Sequence, residues 1–157
     1  MAVRSFLFWL QKQGKYNKIS INMKIIGEEV FDMKEIVSTK DAPQAIGPYS
    51  QAIKAGNFVF VSGQIPLIPA TGEMVKGGIE EQTEQVLKNL SAILKAAGTT
   101  MEAAVKTTVY ITNIGDFAKV NEVYGKFFTK DCPARVCVEV SNLPKGALVE
   151  IDVIAAL

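Results

Sequence analysis

The sequence contains no histidine, and it holds only two cysteines, Cys132 and Cys137, among its 157 residues. Catalysis by a Ser-His-Asp or Cys-His arrangement and metal binding through imidazole are therefore excluded. Two cysteines are too few for a disulfide scaffold or a four-cysteine zinc site, and their scarcity is typical of a reducing compartment. Any chemistry must use carboxylate, guanidinium, thiol, hydroxyl or backbone groups.

The net charge is also small: 17 Lys and Arg residues and 16 Asp and Glu residues give a net charge of only +1. Such a chain has no strong field to hold a polyanion or an anionic membrane, so we expect neither a nucleic acid nor a membrane as partner. The apolar run at residues 6–10 is far shorter than the ~20 residues of a membrane helix. No phosphate loop, dinucleotide fingerprint or calcium loop is present, and we expect no metal and no cofactor.

The charges are unevenly distributed along the chain. Residues 1–32 hold five basic and three acidic groups, with no acid before Glu28, whereas residues 33–157 hold 12 basic and 13 acidic groups. A basic stretch without acids is typical of a targeting leader, and an upstream start codon would also explain it, with Met33 beginning the folded unit. The two interpretations divide the chain into residues 1–32 and one domain at residues 33–157. We expect a cytoplasmic protein, or a mitochondrial one if residues 1–32 are a transit peptide.

Hydrophobic periodicity predicts the order β-β-β-α-β-α-β-β after residue 35. Apolar residues at steps of three and four predict a helix over 79–97 that ends at Gly98. The same spacing predicts a second helix with Asp116 as its N-terminal cap. Its apolar stripe is formed by Phe117, Val120, Tyr124, Phe127 and Phe128. Alternating patterns predict the strands. These strands span 36–39, 49–54, 58–62, 105–111, 135–141 and 148–156.

Strands in runs separated by single helices predict the α+β class, with one mixed sheet and both helices packed on one of its faces. The second face is then either solvated or covered by something else. Because several strands carry apolar residues at alternate positions, we expect a partner subunit to cover it. A monodisperse monomer in analytical ultracentrifugation would contradict this expectation.

The last two strands carry the most informative polar residues. Arg135 and Cys137 alternate with valines on one strand, and Glu150 and Asp152 alternate with apolar residues on the next. If these strands pair as an antiparallel hairpin, one register places Cys137 opposite Glu150 and Arg135 opposite Asp152. Directly opposed and diagonal neighbours are about 5–8 Å apart, so this register predicts one small polar patch.

Arg135 is the only arginine after Arg4, in a chain that has fifteen lysines. A lone Arg indicates a role for the planar guanidinium group, which binds a carboxylate through two parallel hydrogen bonds. The alternative is an ordinary cross-strand salt bridge to Glu150 or Asp152. Cys137 is either a small buried filler or a thiol activated by Arg135, and Glu150 either lies on the surface or orients a water.

Four stretches together resemble the RidA/YjgF family of reactive-intermediate deaminases. They are Ala-Ile-Gly-Pro-Tyr-Ser-Gln at 45–51, Phe-Val-Ser-Gly-Gln-Ile-Pro at 60–66, Val-Lys-Thr-Thr-Val-Tyr at 105–110 and Pro-Ala-Arg-Val-Cys-Val-Glu-Val at 133–140, the last followed by Leu-Pro-Lys at 143–145 and by Glu150. The resemblance covers residues 34–157. The segment before Pro133 looks shorter than in many members, which affects the rim of the pocket.

The resemblance implies a chorismate-mutase-like fold and a homotrimer with one site in each cleft between subunits. It implies hydrolysis of 2-imino acids or their enamine tautomers, such as 2-aminoacrylate, to 2-keto acids and ammonia. Arg135 would bind the substrate carboxylate and Glu150 would hold the attacking water. The remaining pocket residues would be Tyr49, Ser62, Gly63, Asn121 and Cys137, of which Asn121 has the weakest motif.

Two other functions remain open at this point. A non-catalytic module that binds small carboxylates would use the same Arg135 pocket without turnover. Ribonuclease or translation-inhibitor activity is also attached to this family, but the absence of histidine and the slightly acidic charge of residues 33–157 argue against it.

Overall fold

The computed structural model describes residues 23–26, 29–32 and 34–157, and its contacts separate the chain near residue 34 into two units. In the first unit, strands β1 (Met23–Ile26) and β2 (Glu29–Asp32) form an antiparallel hairpin. The predicted leader or extension at residues 1–32 falls largely outside the described residues, so that division stays a prediction.

The second unit contains six strands and two helices in the predicted order. The sheet is mixed: its order is β3-β4-β5-β8-β6-β7, and every neighbouring pair is antiparallel except β6 with β7. The bounds are β3 (Glu35–Val37), β4 (Ala52–Ala55), β5 (Phe58–Gln64), α1 (Ile79–Ala96), β6 (Ala104–Ile111), α2 (Phe117–Phe127), β7 (Ala134–Glu139) and β8 (Val149–Ala156).

Both helices pack on one face of the sheet, which confirms the predicted arrangement. The apolar stripe of α1 is buried against alternate residues of the central strands, such as Val109 and Ile151. Gly98 has a φ of +87° and ends α1, with the Thr99 N–H donating to the Leu94 carbonyl at 3.0 Å. A left-handed residue at this place suits glycine, as the sequence predicts.

Helix α2 begins after Asp116, but the prediction that the Asp116 side chain caps the helix is wrong. The Asp116 side chain makes no capping bond, and its carboxylate instead lies 3.4 Å from the Lys119 ammonium. A 3-10 turn at Ile114–Asp116 precedes the helix, and its Ile114 carbonyl accepts the Phe117 N–H. The predicted stripe is also wrong at Phe117, which is 38% exposed, while Val123 is buried in the core.

The predicted hairpin of the last two strands is wrong. Strand β8 lies between β5 and β6, while β7 pairs with β6 in parallel at the edge of the sheet. Helix α2 connects β6 to β7, and a helical crossover is the connection that parallel neighbours require. The alternate residues of β8 are buried almost completely, from Val149 to Ala155, so this strand takes a central position under the helices.

The second face of the sheet carries exposed apolar side chains. They include Phe58 and Phe60 on β5 and Val136 and Val138 on β7, each about 40% exposed. Exposed large apolar side chains on one face of a sheet mark an interaction site when they cluster. We call this surface the open face.

Candidate active site

Arg135 lies on β7 with its side chain toward α2. Its Cζ atom is 4.6 Å from the ring centroid of Tyr124 and 5.6 Å from that of Phe117. Among residues 34–157 no carboxylate lies within salt-bridge distance of the guanidinium. The alternative of a salt bridge to Glu150 or Asp152 is therefore wrong within one chain, and no carboxylate of residues 34–157 occupies the N–H donors of the guanidinium.

Cys137 and Asn121 lie on the same side of the molecule as Arg135. Cys137 points from β7 to the same face and packs against the core, and burial raises the pKa of its thiol while the Arg135 charge partly offsets this rise. A protonated thiol is a poor nucleophile. Asn121 is half-buried on α2, on the face that also presents Phe117 and Tyr124, because positions four and seven apart share one side of a helix. We call Arg135, Cys137 and Asn121 the arginine half-site.

Glu150 lies on β8 with its carboxylate packed against Gly63. A Cβ atom at position 63 would overlap the Glu150 carboxylate and would lie 2.9 Å from its Cδ atom. Gly63 sits where the β5–β8 register shifts between Val61 and Gln64, a bulge that lets the backbone approach the side chain closely. Burial raises the pKa of the Glu150 carboxyl, and the neighbouring Asp152 carboxylate raises it further. The group is thus a stronger base than an exposed glutamate.

Tyr49 and Ser62 lie near Gly63. The Ser62 hydroxyl donates to the Ser50 carbonyl at 2.7 Å, and its N–H donates to the Gln51 carbonyl at 3.0 Å, so β5 fixes the segment that carries Tyr49. Tyr49 is 50% exposed and lines, together with Gly63, a cleft that Pro43, Gln44 and Ile46 also line. We call Glu150, Gly63, Ser62 and Tyr49 the glutamate half-site.

Within one chain the two half-sites lie on opposite faces of the sheet. Arg135 is the register partner of Thr107, which in turn is the partner of Val153 on the helix-covered face. Glu150 is three residues from Val153 and therefore points to the open face. The single polar patch expected from a hairpin of β7 and β8 is wrong, because β6 separates the two strands.

Comparison with known proteins gives the family of this chain. A family model described as endoribonuclease L-PSP, the group that contains the RidA and YjgF proteins, matches residues 39–157. The chain belongs to the RidA/YjgF family. The predicted membership and the α+β fold are thereby confirmed.

Three similar proteins illustrate the family. A RutC family protein of Pyrococcus horikoshii is 59% identical over 123 residues, which are 78% of this chain and 98% of that protein. The mouse 2-iminobutanoate/2-iminopropanoate deaminase is 46% identical over 123 residues, 78% of this chain and 91% of its own. A crystal structure of a Rid family protein from Yersinia pestis is 56% identical, with a TM-score of 0.76 over 79% of this chain and 99% of that one. RidA-family relatives thus include a named deaminase of 2-imino acids.

In the described part of the chain no three His, Cys, Asp or Glu side chains are grouped so that they could hold a metal ion. No helix there is both long and apolar enough to cross a bilayer.

Sequence reasoning missed the aromatic residues that support Arg135. The sequence pattern places Phe117 and Tyr124 in an apolar core stripe. Their contact with Arg135 depends on the pairing of β7 with β6, which the pattern does not predict. The available signal was their spacing from Asn121, since a polar residue between two aromatics on one helix face indicates a site at that face.

Proposed function

We propose that this protein hydrolyses 2-imino acids and their enamine tautomers, such as 2-aminoacrylate, to 2-keto acids and ammonia. The observation that carries the proposal is the Arg135 guanidinium, which is flanked by two aromatic rings and has no carboxylate partner among residues 34–157. A guanidinium placed in this way is suited to bind a small carboxylate through two parallel hydrogen bonds. Membership of a family that includes a named 2-imino acid deaminase supports the same substrate class.

The proposed site is completed by two copies of the chain. The arginine half-site of one copy and the glutamate half-site of its neighbour would form the cleft, because one chain holds them on opposite faces of its sheet. Head-to-tail contacts form a ring when the rotation between copies closes, and we propose such a ring, the homotrimer that the family resemblance implies. The exposed phenylalanines and valines of the open face supply apolar surface for the association.

The reaction needs little more than positioning, since the carbon of a protonated imine is already electrophilic. Arg135 holds the substrate carboxylate while Glu150 of the neighbouring copy orients a water molecule and accepts one of its protons. The water oxygen bonds to the imine carbon, and the C=N electron pair moves to nitrogen. Glu150 returns its proton to the nitrogen, and the C–N bond breaks so that ammonia leaves with that electron pair. The hydroxyl oxygen gives its proton to the Glu150 carboxylate as the C=O bond forms, and Glu150 releases this proton to solvent before the next cycle. Orientation and electrostatic stabilisation supply the acceleration.

The other residues of the two half-sites would line the pocket. Tyr49, Ser62 and Gly63 would shape the wall beside the water, and Asn121 and Cys137 would lie beside the carboxylate. The raised pKa of the Glu150 carboxyl suits a group that accepts and returns a proton in one cycle.

A coupled assay tests the proposal. A pyridoxal-phosphate-dependent threonine dehydratase acting on threonine releases the imino acid, and the rate of keto-acid formation is followed with and without this protein. We expect acceleration by the wild type, and a loss of about tenfold to a hundredfold in Arg135→Lys, because an ammonium cannot reproduce the planar fork. Lys126→Arg, a charge-conserving exchange at an exposed position of α2, is the control.

Glu150→Gln separates an enzyme from a non-catalytic carboxylate-binding module. We expect this variant to lose hydrolysis while retaining pyruvate binding in calorimetry, since the amide keeps the shape of the side chain but cannot accept the proton. Unaccelerated keto-acid release by the wild type, combined with tight pyruvate binding, would establish the binding module instead. RNA cleavage that survives substitution of both Arg135 and Glu150 in a nuclease-free preparation would support the ribonuclease function.

The compartment is proposed separately from the reaction. We propose a cytoplasmic protein, with a mitochondrial location as the alternative if residues 1–32 are removed. Mass spectrometry of the mature N-terminus distinguishes the two, because a chain beginning near residue 33 in an organelle fraction contradicts the cytoplasmic proposal.

A further inference from the structure

The Arg135 guanidinium contacts the face of an aromatic ring, that of Tyr124, and no acidic side chain of residues 34–157. The Tyr124 centroid is only 4.6 Å from its Cζ atom, a distance at which a cation is attracted by the electron-rich face of the ring. Phe117 is more distant, at 5.6 Å, and more exposed. Tyr124 is 6% exposed and is therefore the fixed element of the pair.

Tyr124 is itself held in place by a second contact. Its hydroxyl forms a 2.8 Å hydrogen bond with the hydroxyl of Thr107, which is completely buried on β6. The Phe128 ring packs 4.4 Å from the Tyr124 ring, centroid to centroid. A buried tyrosine hydroxyl needs a partner, and satisfying it from β6 fixes the orientation of the ring.

Thr107 and Arg135 are register partners across the β6–β7 pair. The contacts therefore link three adjacent elements: Thr107 on β6 bonds Tyr124 on α2, and Tyr124 supports Arg135 on β7. The Cζ atom lies over the face of the Tyr124 ring, and a ring face does not take up the N–H donors of a guanidinium as a carboxylate does. A carboxylate in the same place would occupy two of those donors, but an aromatic support leaves them for a ligand.

We propose that Tyr124 is a positioning residue that holds the Arg135 guanidinium in the orientation that receives the substrate carboxylate, and that Thr107 fixes the ring of Tyr124. This inference rests on the carboxylate-binding role of Arg135 in the proposed function. An arginine that is ordered before binding loses less rotational freedom on meeting its ligand. The contribution of Tyr124 is thus to ligand affinity and not to proton transfer.

Pyruvate binding by the assembled protein, measured by calorimetry, tests the inference. We expect the dissociation constant to rise about tenfold in Tyr124→Leu, which removes the ring, and less than about threefold in Tyr124→Phe, which keeps it. In the coupled assay KM should rise with kcat nearly unchanged in Tyr124→Leu. Binding of pyruvamide, which has no carboxylate, should not respond to either variant.

A control variant separates positioning from general destabilisation. Val59→Ala empties space in the core on β5, two strands away from β6 and three from β7, and should lower stability without changing pyruvate affinity. If Tyr124→Leu fails to fold, Thr107→Val and Thr107→Ser decide the question. Both are close in size to threonine, and only the valine variant, which lacks the hydroxyl, should weaken pyruvate binding.

Three results would overturn the inference. Wild-type affinity for pyruvate in Tyr124→Leu would contradict it, and so would an equal loss of affinity in Val59→Ala, which would indicate a purely structural effect. Equal affinities of the two Thr107 variants would remove the role of Thr107. If the wild type itself does not bind pyruvate, the carboxylate-binding role of Arg135 fails first, which is a failure of the proposed function.

Discussion

The close contact between Gly63 and Glu150 gives a prediction whose size follows from the structure. In Gly63→Ala the new Cβ atom would lie 2.9 Å from the Glu150 Cδ atom and 3.1 Å from its Cγ atom. Carbon atoms in contact are separated by about 3.5–4.0 Å, so the carboxylate has to move by about 1 Å. A displacement of this size at a reacting group costs about a hundredfold in rate.

The coupled threonine dehydratase assay measures this effect. We expect kcat of Gly63→Ala to fall by about a hundredfold while pyruvate affinity changes little, because the substitution moves the base and not the carboxylate anchor. Gly125→Ala on α2 is the matched control, since a Cβ at that position meets no atom within 4 Å. It should retain wild-type activity. Wild-type turnover by Gly63→Ala would refute the placement of Glu150 at the reacting water.

Three further predictions concern the surroundings of the two half-sites. Asp152→Asn should shift the acid limb of the kcat profile to lower pH, because the Asp152 carboxylate helps raise the pKa of Glu150, which must be ionised to accept a proton. An unchanged pH profile would contradict this. Cys137→Ser should retain most of the activity, because burial raises the pKa of the thiol and leaves it protonated; complete inactivation would point to a thiolate nucleophile. Phe60→Lys should weaken self-association in analytical ultracentrifugation, because it places a charge on the exposed apolar surface of β5, and an unchanged oligomer would contradict this use of the open face.

Local patterns in the sequence predicted most of the fold. The periodicity of α1 and the glycine after it are properties of neighbouring residues, so the helix and its end at Gly98 could be predicted without knowing the sheet. Strand positions were predictable for the same reason. Asp116 does not cap α2 because its carboxylate contacts the Lys119 ammonium and accepts from the Asn113 amide instead, a matter of local geometry that residue type does not determine.

Strand pairing was the part that neighbouring residues did not determine. Adjacent strands in the chain suggested that β7 and β8 form a hairpin, but α2 links β6 to β7 as a crossover and so makes them parallel neighbours. Motifs identify the candidate residues, but the positions of these residues in space depend on how the strands pair. The hairpin predicts Arg135 and Glu150 in one patch, whereas the actual pairing places them on opposite faces. The apolar stripe likewise predicts Tyr124 as a core residue and does not reveal its contact with Arg135.

The central claim is that Arg135 and Glu150 of different copies complete one site, and mixed assemblies test it most directly. The Arg135→Lys and Glu150→Gln chains are co-expressed with different tags, and assemblies that contain both are isolated through the two tags. In any mixed trimer with head-to-tail contacts, one cleft of the three joins an intact Arg135 to an intact Glu150, so activity should recover to about one third of the wild type. Mixed assemblies that are no more active than the two parent variants would contradict the account.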